Sequence, residues 1–202
     1  MMNQLILTLL AGMLIVANPN KWEEVDKGDG ITVWIREVHL SEIKEVKAQT
    51  IVDLDMQSIW AVLNEVSLYK EFMPYIEEAK ILPNKIEGGH YEYHHIAPPF
   101  VNERDYTIKI ICTKTDTQWK RSWTLANDIG PKKNADVVRV EINEGIWTLE
   151  KLGPKKTLLT YWLYTNPGGS IPVWIANMAN KISVPDLLNA VRSRAKDPKW
   201  TP

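Results

Sequence analysis

Three histidines close together are the first side chains of this chain whose types suggest chemistry. His90, His94 and His95 lie on one predicted strand, and imidazole is a common zinc ligand and general base. A strand rises ~3.3 Å per residue and alternates its faces, so His90 and His94 stand about 13 Å apart while His94 and His95 point opposite ways. This spacing argues against a metal site, and we expect none.

The other reactive groups do not form a catalytic set. Cys112 is the single cysteine and lies in an isoleucine-rich run, where a thiol without a histidine partner is inert. Gly168 and Gly169 are not followed by the residues of a phosphate-binding loop. We therefore predict no catalytic residues, no metal and no cofactor.

Composition narrows the class of partner. The 202 residues fit one domain, and the formal net charge of −1 does not suit binding to a phosphate backbone, so nucleic acid is not expected. Nine Trp and seven Tyr stand against two Phe. Such amphipathic rings suit a cavity or interface that is apolar with a few hydrogen bonds, although ordinary core filling accounts for many of them.

The N-terminal residues 1–20 carry no charged side chain and include an apolar run over residues 5–17. A run of this length is typical of a signal peptide and is shorter than the ~20 residues of a membrane span. We expect export, with a periplasmic or secreted domain, which N-terminal sequencing of the exported protein would test. Because no Lys or Arg follows Met1, a packed N-terminal hydrophobic helix in a cytoplasmic protein is the alternative.

Apolar residues alternate along most of the remaining chain. Runs at 31–36 and 44–53 predict a first hairpin, a helical period over 55–72 with Asp55 as cap follows, and further strands are predicted near 77–82, 88–96, 104–114, 118–126, 136–149 and 157–165. Short turns between them favour an antiparallel sheet. The prediction is an α+β helix-grip fold, in which a curved antiparallel sheet wraps around a long C-terminal helix and leaves an internal cavity for small apolar ligands.

A long helix is predicted after Gly169, with Ser170 as its N-cap and Pro172 in its first turn. One helical stripe carries its apolar residues, and Pro185 is expected to kink or interrupt the helix. The stripe consists of Ile171, Trp174, Ile175, Met178 and Ile182. An ordinary terminal helix that closes a core would show the same stripe.

Three segments resemble START domains, the steroidogenic acute regulatory protein related lipid-transfer domains. They are residues 96–106 (IAPPFVNERDY), residues 169–174 (GSIPVW) with Asn177, Pro185 and Leu188, and Trp22 followed by residues 30–34 (GITVW) and Arg36. The resemblance spans residues 21–198, and the chain is identified as a bacterial-type, stand-alone member. It implies a cup for one lipid or sterol, with a gate loop (residues 98–101) and a lid (residues 171–182) on the C-terminal helix.

The resemblance also implies roles for individual residues. Arg104, Asp105 and Pro172 are expected to be structural, because a charged pair at a strand start most often anchors a loop. The expected lipid-binding residues are Tyr91, Tyr93, Phe100, Ile108, Ile110, Tyr161, Trp174 and Met178.

One departure from the family pattern concerns the ion pair. Sterol-type members have a buried cation six positions after the Arg of the motif, where this chain has Ile110, and the partner position for its acid is taken by Tyr91. We therefore expect an apolar cup with hydroxyl groups and without an ion pair.

The leading functional hypothesis is binding of a lipid or other apolar small molecule, with transfer as a further step, by a monomer that contacts membrane surfaces transiently. The alternative is a polyketide cyclase or aromatase of the same broad fold, with Tyr93, His95, Arg121 or Tyr161 as acid–base groups. A regulatory sensor whose lid docks a partner is the third reading. Several titratable groups converging deep in the cup would favour the enzyme, and an apolar lining would favour the carrier.

Overall fold

The computed structural model describes residues 21–200, which form an antiparallel sheet and a long C-terminal helix. The strands are β1 (Glu23–Gly28), β2 (Ile31–Arg36), β3 (Glu45–Val52), β4 (Ile76–Ile86), β5 (Gly89–Ile96), β6 (Arg104–Lys114), β7 (Gln118–Leu125), β8 (Val138–Arg139), β9 (Ile142–Gly153) and β10 (Lys156–Asn166). The helices are α1 (Met56–Asn64), α2 (Tyr69–Phe72) and α3 (Val173–Arg194), with short 3-10 turns at Val66–Leu68 and Pro198–Trp200.

The sheet is open, with the strand order β1-β2-β3-β10-β9-β7-β6-β5-β4. All neighbours in this path are antiparallel, and the two-residue β8 pairs with the start of β6 in parallel. The predicted antiparallel helix-grip fold is confirmed. One face of the sheet, the inner face, turns towards α3, and the opposite outer face carries most of the polar positions.

The sequence alternation explains most strands. In β3, alternate residues from Val46 to Val52 are buried while their neighbours are partly or fully exposed, because the period of two places apolar side chains on one face. Pro83 and Asn84, expected to separate two strands, lie inside β4 instead. Since β4 is an edge strand with an irregular register between Ile81 and Lys85, it tolerates a residue without an N–H.

Two boundaries differ from the sequence prediction. β1, whose residues are mostly exposed, was not predicted as a separate strand and pairs with β2. The single strand predicted for 136–149 is divided into β8 and β9.

The predicted N-terminal signal peptide, residues 1–20, lies outside the described residues, so export stays a prediction. Among residues 21–200, no helix is long and apolar enough to cross a membrane.

The helix α1 begins as predicted. The backbone N–H of Ser58 donates to Asp55 Oδ1 at 2.9 Å, which satisfies one of the unpaired donors of the first turn. Ile59 and Leu63, four residues apart, are fully buried and pack this helix onto the sheet. The sequence prediction of a capped helix after Asp55 is confirmed.

The long helix α3 begins later than predicted. The N-cap position is Pro172, whose carbonyl accepts from the N–H of Ile175 and Ala176, so the prediction of Ser170 as cap is wrong. Proline is tolerated at this position because it has no N–H that would need a partner. Its side chain makes no capping hydrogen bond, so the backbone carbonyl alone caps the helix. The helix then runs through Pro185 without the interruption that the sequence suggested.

The two halves of α3 have different surroundings. In the second half Val184, Leu188 and Val191 are at most 2% exposed and pack into the main core together with α1. In the first half Met178 and Ile182 are 48% and 58% exposed. The buried residues form a packed core at the α1 end of the sheet, whereas a cavity lies under the first half of α3.

We predict that Gly145→Ala destabilises the fold, because Gly145 in β9 is a point of close approach. An added Cβ would lie 2.3 Å from Trp123 Cζ2 and 2.5 Å from the Trp162 carbonyl oxygen. Overpacking of this kind lowers the free energy of unfolding by about 1–3 kcal/mol, measurable by denaturant titration.

The matched control is Gly153→Ala at the end of the same strand. The nearest atom to an added Cβ there is Lys156 Cβ at 3.7 Å, an ordinary contact. Its free energy of unfolding should change by less than about 0.5 kcal/mol. Equal effects of the two substitutions would contradict the close approach at Gly145.

Candidate functional site

A cavity of about 470 Å³ lies between the inner face of the sheet and the first half of α3. Strands β5, β6, β7, β9 and β10 form its walls, and the gate loop and the lid border it on the other side. Most of the lining side chains are apolar, and polar groups from His94, Arg104, Arg121 and Asn143 interrupt them. A volume in the range of ~300–1,000 Å³ is typical of sites for small organic ligands.

Three of the eight predicted lipid-binding residues line this cavity. Ile108 and Tyr161 are 4% and 7% exposed on the inner face, and the Tyr161 ring lies 4.4 Å from that of Trp147, centroid to centroid. Met178 belongs to the lid. These residues come from β6, β10 and α3, so the fold brings together positions that are far apart in sequence.

The strand register places two of the predicted residues on the outer face. Tyr91 pairs with Lys109 and Tyr93 pairs with Thr107, whereas their neighbours Glu92 and His94 face inwards. The Tyr93 hydroxyl donates to Asp105 Oδ2 at 3.2 Å. Neither tyrosine lines the cavity.

Three further predicted residues also lie outside the cavity lining. Ile110 is fully buried in the main core beneath it. Phe100 and Trp174 point to solvent, with exposures of 103% and 66%. Phe100 is at the tip of the gate loop in a left-handed backbone conformation, with φ of 67°, and Trp174 lies at the edge of the apolar stripe of α3.

A buried ion pair lies at the inner end of the cavity, contrary to the sequence prediction. Arg121 Nη2 on β7 donates to Glu92 Oε1 on β5, across the intervening β6, and both side chains are at most 3% exposed. His90 Nε2 lies 2.5 Å from Glu92 Oε1, and His94 Nε2 lies 3.1 Å from Glu92 Oε2. An ionised carboxylate only accepts hydrogen bonds, so both histidines donate to it.

The environment keeps this pair charged. Burial by itself would raise the pKa of Glu92, but the Arg121 guanidinium and the hydrogen bonds from His90 and His94 hold that pKa well below its usual range. Burial by itself would lower the pKa of Arg121, but the neighbouring Tyr69 and Glu92 raise it overall. Arg121 Nε has no hydrogen-bond partner among residues 21–200.

The sequence prediction missed the ion pair because it placed the partners one register position away. Ile110 pairs with His90 rather than with Tyr91, and the cation comes from the next strand, where Arg121 lies opposite Cys112. The expectation of a cup without an ion pair is therefore wrong. A sign was available in the sequence, since positions 90, 92 and 94 are polar and alternate onto one face.

The residues proposed for the enzymatic alternative fall on two faces of the sheet. Arg121 and Tyr161 line the cavity, whereas Tyr93 and His95 lie on the outer face. Burial raises the pKa of Tyr161, and it also raises that of Tyr106, whose hydroxyl lies 3.3 Å from His94 Nδ1. Both hydroxyls therefore stay neutral near pH 7. Burial also raises the pKa of the Cys112 thiol, which keeps it protonated.

Arg104 and Asp105 anchor loops, as the sequence suggested for a charged pair at a strand start. Asp105 accepts two hydrogen bonds from Arg139, at 2.6 and 2.9 Å. Arg104 donates to the carbonyls of Asn102, just after the gate loop, and Pro167, just before the lid. The Arg104 side chain also lines the cavity.

We predict that Glu92→Leu destabilises the protein strongly, because it leaves the Arg121 guanidinium buried without an acid. Breaking a buried pair in this way costs about 3–5 kcal/mol in the free energy of unfolding. The double variant Glu92→Leu with Arg121→Met removes both charges and should lose less free energy of unfolding.

The pKa of Glu92 is lower in the folded protein than in the unfolded chain. The ionised carboxylate therefore stabilises the fold at pH values above the usual glutamate pKa, and this stabilisation is lost as the pH falls towards the folded-state pKa.

Denaturant unfolding at neutral and acidic pH measures both effects. The double variant should lose less stability on acidification than the wild type, because its Glu92 carboxylate is absent. A double variant as unstable as Glu92→Leu alone would contradict the charge pairing.

Comparison with known proteins places this geometry in a family. The model of the family described as "Polyketide cyclase / dehydrase and lipid transport" matches residues 52–192. An uncharacterized protein of Pseudomonas aeruginosa is 29% identical over 177 residues, covering 87% of each chain. The phosphatidylcholine transfer protein of Rattus norvegicus is 25% identical over 174 residues, covering 83% of this chain and 80% of its own.

Solved structures show the same fold. A STAR-related lipid transfer protein of Xanthomonas axonopodis superimposes with a TM-score of 0.79 at 24% identity, covering 87% of this chain and 99% of its own. The Zhui aromatase/cyclase of a Streptomyces species gives 0.55 at 18% identity, covering 75% and 93%. The chain belongs to the polyketide cyclase/dehydrase and lipid transport family and has the fold of STAR-related lipid transfer proteins.

Proposed function

We propose that this protein binds a lipid or other apolar small molecule in the cavity under α3 and transfers it between membranes. The observation that carries the proposal is a hollow in the core that is lined mainly by apolar side chains and sits beside an otherwise packed interior. An apolar hollow of this size is unfavourable to leave empty and binds apolar ligands.

The size of the cavity limits the ligand. About 470 Å³ lies in the lower half of the ~300–1,000 Å³ that is typical of sites for small organic ligands. This space suits a sterol-sized molecule or a lipid with a single long chain, whereas a lipid with two long chains would require the lid to move outwards. Several side chains of the lid are about half-exposed, so little packing is lost when the lid moves outwards.

The gate loop and the lid are proposed to control access. Pro98, Pro99 and Val101 line the cavity opposite Ile171 and Ile175, so a ligand enters when these two segments separate. The consecutive residues Gly168 and Gly169 both have positive φ, 67° and 71°, directly before the lid. A backbone of this kind changes its torsions at low cost and can act as a hinge.

We predict that a disulfide between the gate loop and the lid slows ligand exchange. Cysteines are introduced in a Cys112→Ser background at one position in 98–101 and one in 171–175 whose Cα atoms lie within about 7 Å. Uptake and release of a fluorescent sterol or fatty-acid probe should slow at least tenfold in the oxidised protein, and a reductant should restore the rate.

The reduced double-cysteine protein is the matched control, since only the covalent bond differs. Far-UV circular dichroism verifies that the oxidised protein keeps its fold. Unchanged exchange in fully cross-linked protein would contradict the gate, and failure of the wild type to bind any apolar probe would contradict carriage.

Transient contact with a membrane surface belongs to the proposal. Phe100 and Trp174 are 103% and 66% exposed at the tip of the gate loop and the start of the lid, next to Met178 and Ile182 at 48% and 58%. Exposed aromatic and aliphatic side chains of this kind insert at the boundary between lipid headgroups and acyl chains. Their position at the mouth would bring the cavity to the lipid surface.

We predict that Phe100→Ala with Trp174→Ala reduces transfer of a fluorescent lipid between vesicles several-fold, because the contact loses its largest apolar side chains. Binding of the same probe in solution should stay unchanged, since neither side chain lines the cavity. The control is Leu152→Ala. It removes a side chain that is 51% exposed near the turn between β9 and β10, at the end of these strands away from the cavity mouth. Equal transfer by the double variant and the control would contradict a membrane-contacting mouth.

An enzymatic role has one supporting observation. His94 lines the cavity and contacts both Glu92 and the Tyr106 hydroxyl, at 3.1 and 3.3 Å, an arrangement that could orient an imidazole for acid–base chemistry on a polyketide. Mass spectrometry of the ligand before and after incubation distinguishes the two functions. A carrier returns its ligand unchanged, whereas a cyclase returns a product that has lost water or changed its ring pattern.

A further inference from the structure

Arg104 is a buried cation without an acid beside it. The side chain is 2% exposed, and among residues 21–200 no carboxylate oxygen lies within the 4 Å of a salt bridge. The nearby acids are committed elsewhere, with Asp105 bound by Arg139 and Glu103 paired with His95. Two backbone carbonyls, those of Asn102 and Pro167, are the acceptors recorded for its guanidinium.

Such an arrangement is costly unless an anion completes it. A guanidinium carries five N–H donors, and the two carbonyl bonds use the Nε–H and one of the two Nη1–H groups, which leaves three donors for a ligand. The other buried arginine of the cavity, Arg121, is neutralised by Glu92. The cavity thus contains one arginine that is paired with an acid, Arg121, and one that is not, Arg104. Burial removes water from the Arg104 guanidinium and so lowers its pKa.

The position of Arg104 is suited to a ligand headgroup. It lies at the start of β6, between the gate loop and the segment before the lid, and its side chain lines the cavity with Pro98, Pro167 and Ile171. Ile108, four residues along the same strand and on the same face, also lines the cavity, further from the mouth. A chain attached to a headgroup at Arg104 would therefore extend into the apolar interior.

We propose that Arg104 binds the anionic headgroup, a carboxylate or a phosphate, of a single-chain amphiphile whose tail fills the cavity. The proposal rests on the proposed carrier function and specifies its ligand class. Bidentate binding of carboxylate or phosphate oxygens is the geometry that a guanidinium favours. The same contact would tie the ligand to the two loops that Arg104 holds, so that a bound headgroup stabilises the closed gate.

The test compares ligands that differ only in the headgroup. Palmitate, hexadecyl phosphate and hexadecanol are used to displace a neutral fluorescent fatty-alcohol probe from the wild type, from Arg104→Gln and from Arg104→Lys. Lys155→Gln is the control, because it removes one positive charge from an exposed turn between β9 and β10.

We expect the wild type to bind one or both anions at least about tenfold more tightly than hexadecanol, since hydrogen bonds to charged groups are the stronger class. Arg104→Gln should abolish this preference while binding of hexadecanol changes little. Arg104→Lys should retain part of it, and Lys155→Gln all of it. A preference for palmitate would identify a carboxylate headgroup, and a preference for hexadecyl phosphate a phosphate.

Several results would overturn the proposal. Equal losses for hexadecanol and the anions in Arg104→Gln would mean that Arg104 acts through the loops alone. Displacement by inorganic phosphate at the concentrations effective for hexadecyl phosphate would mean a free anion instead of a lipid headgroup. If Arg104→Gln does not fold, the wild type decides, since binding of palmitate and hexadecyl phosphate no tighter than hexadecanol refutes the proposal. If the wild type binds the alcohol and not the anions, carriage stands and the headgroup assignment fails. If it binds none of the three and no fluorescent sterol either, carriage itself is refuted.

Discussion

The structure depends on how one helix covers a sheet that is wider than the helix. Ten strands spaced ~4.8 Å apart form a surface several times broader than a helix of ~10 Å diameter, so α3 cannot fill the inner face alone. At one end α1 supplies the missing side chains, and Ile59, Leu63 and Leu188 are fully buried there. At the other end the first half of α3 and the gate loop cover the sheet, and the cavity lies beneath them. The hollow therefore follows from the placement of α1.

The charges of the cavity divide into two kinds. Glu92 and Arg121 neutralise each other at the inner end and, with His90 and His94, form a network that ties β5 to β7. Such a network fixes the strand register at the base of the cup, because removing either charge leaves the other buried. Arg104 at the mouth holds two loops and pairs with no acid in the described part of the chain. The charges at the inner end thus neutralise each other without a ligand, whereas at the mouth the anion that we propose would neutralise Arg104.

Sequence patterns predicted the elements well and the faces less well. Alternating apolar residues marked seven of the strands, and Asp55 marked the start of α1, because these signals are local. Which residues of a strand face inwards depends on its register with a neighbour, so Tyr91 and Tyr93 were assigned to the cavity while Glu92 between them holds the inner position. In α3, Trp174 lies about 150° from the mean direction of the helical residues that line the cavity, at ~100° per residue, so its side chain turns outwards. The ion pair joins strands that are not adjacent, so the alternating polar positions 90, 92 and 94 indicate a polar patch but do not identify Arg121 as its cation.

Native mass spectrometry of the freshly purified protein tests the central claim, that the hollow end of the cup holds an amphiphile. The account predicts a complex with one bound small molecule whose mass, after extraction, is that of an amphiphile with a single chain or of sterol size. After delipidation, incubation with a total lipid extract should restore the complex, and Ser183→Trp, which places a large side chain on a residue lining the cavity, should prevent it without unfolding the protein. A wild type that remains free of bound lipid both as purified and after this incubation would contradict the account.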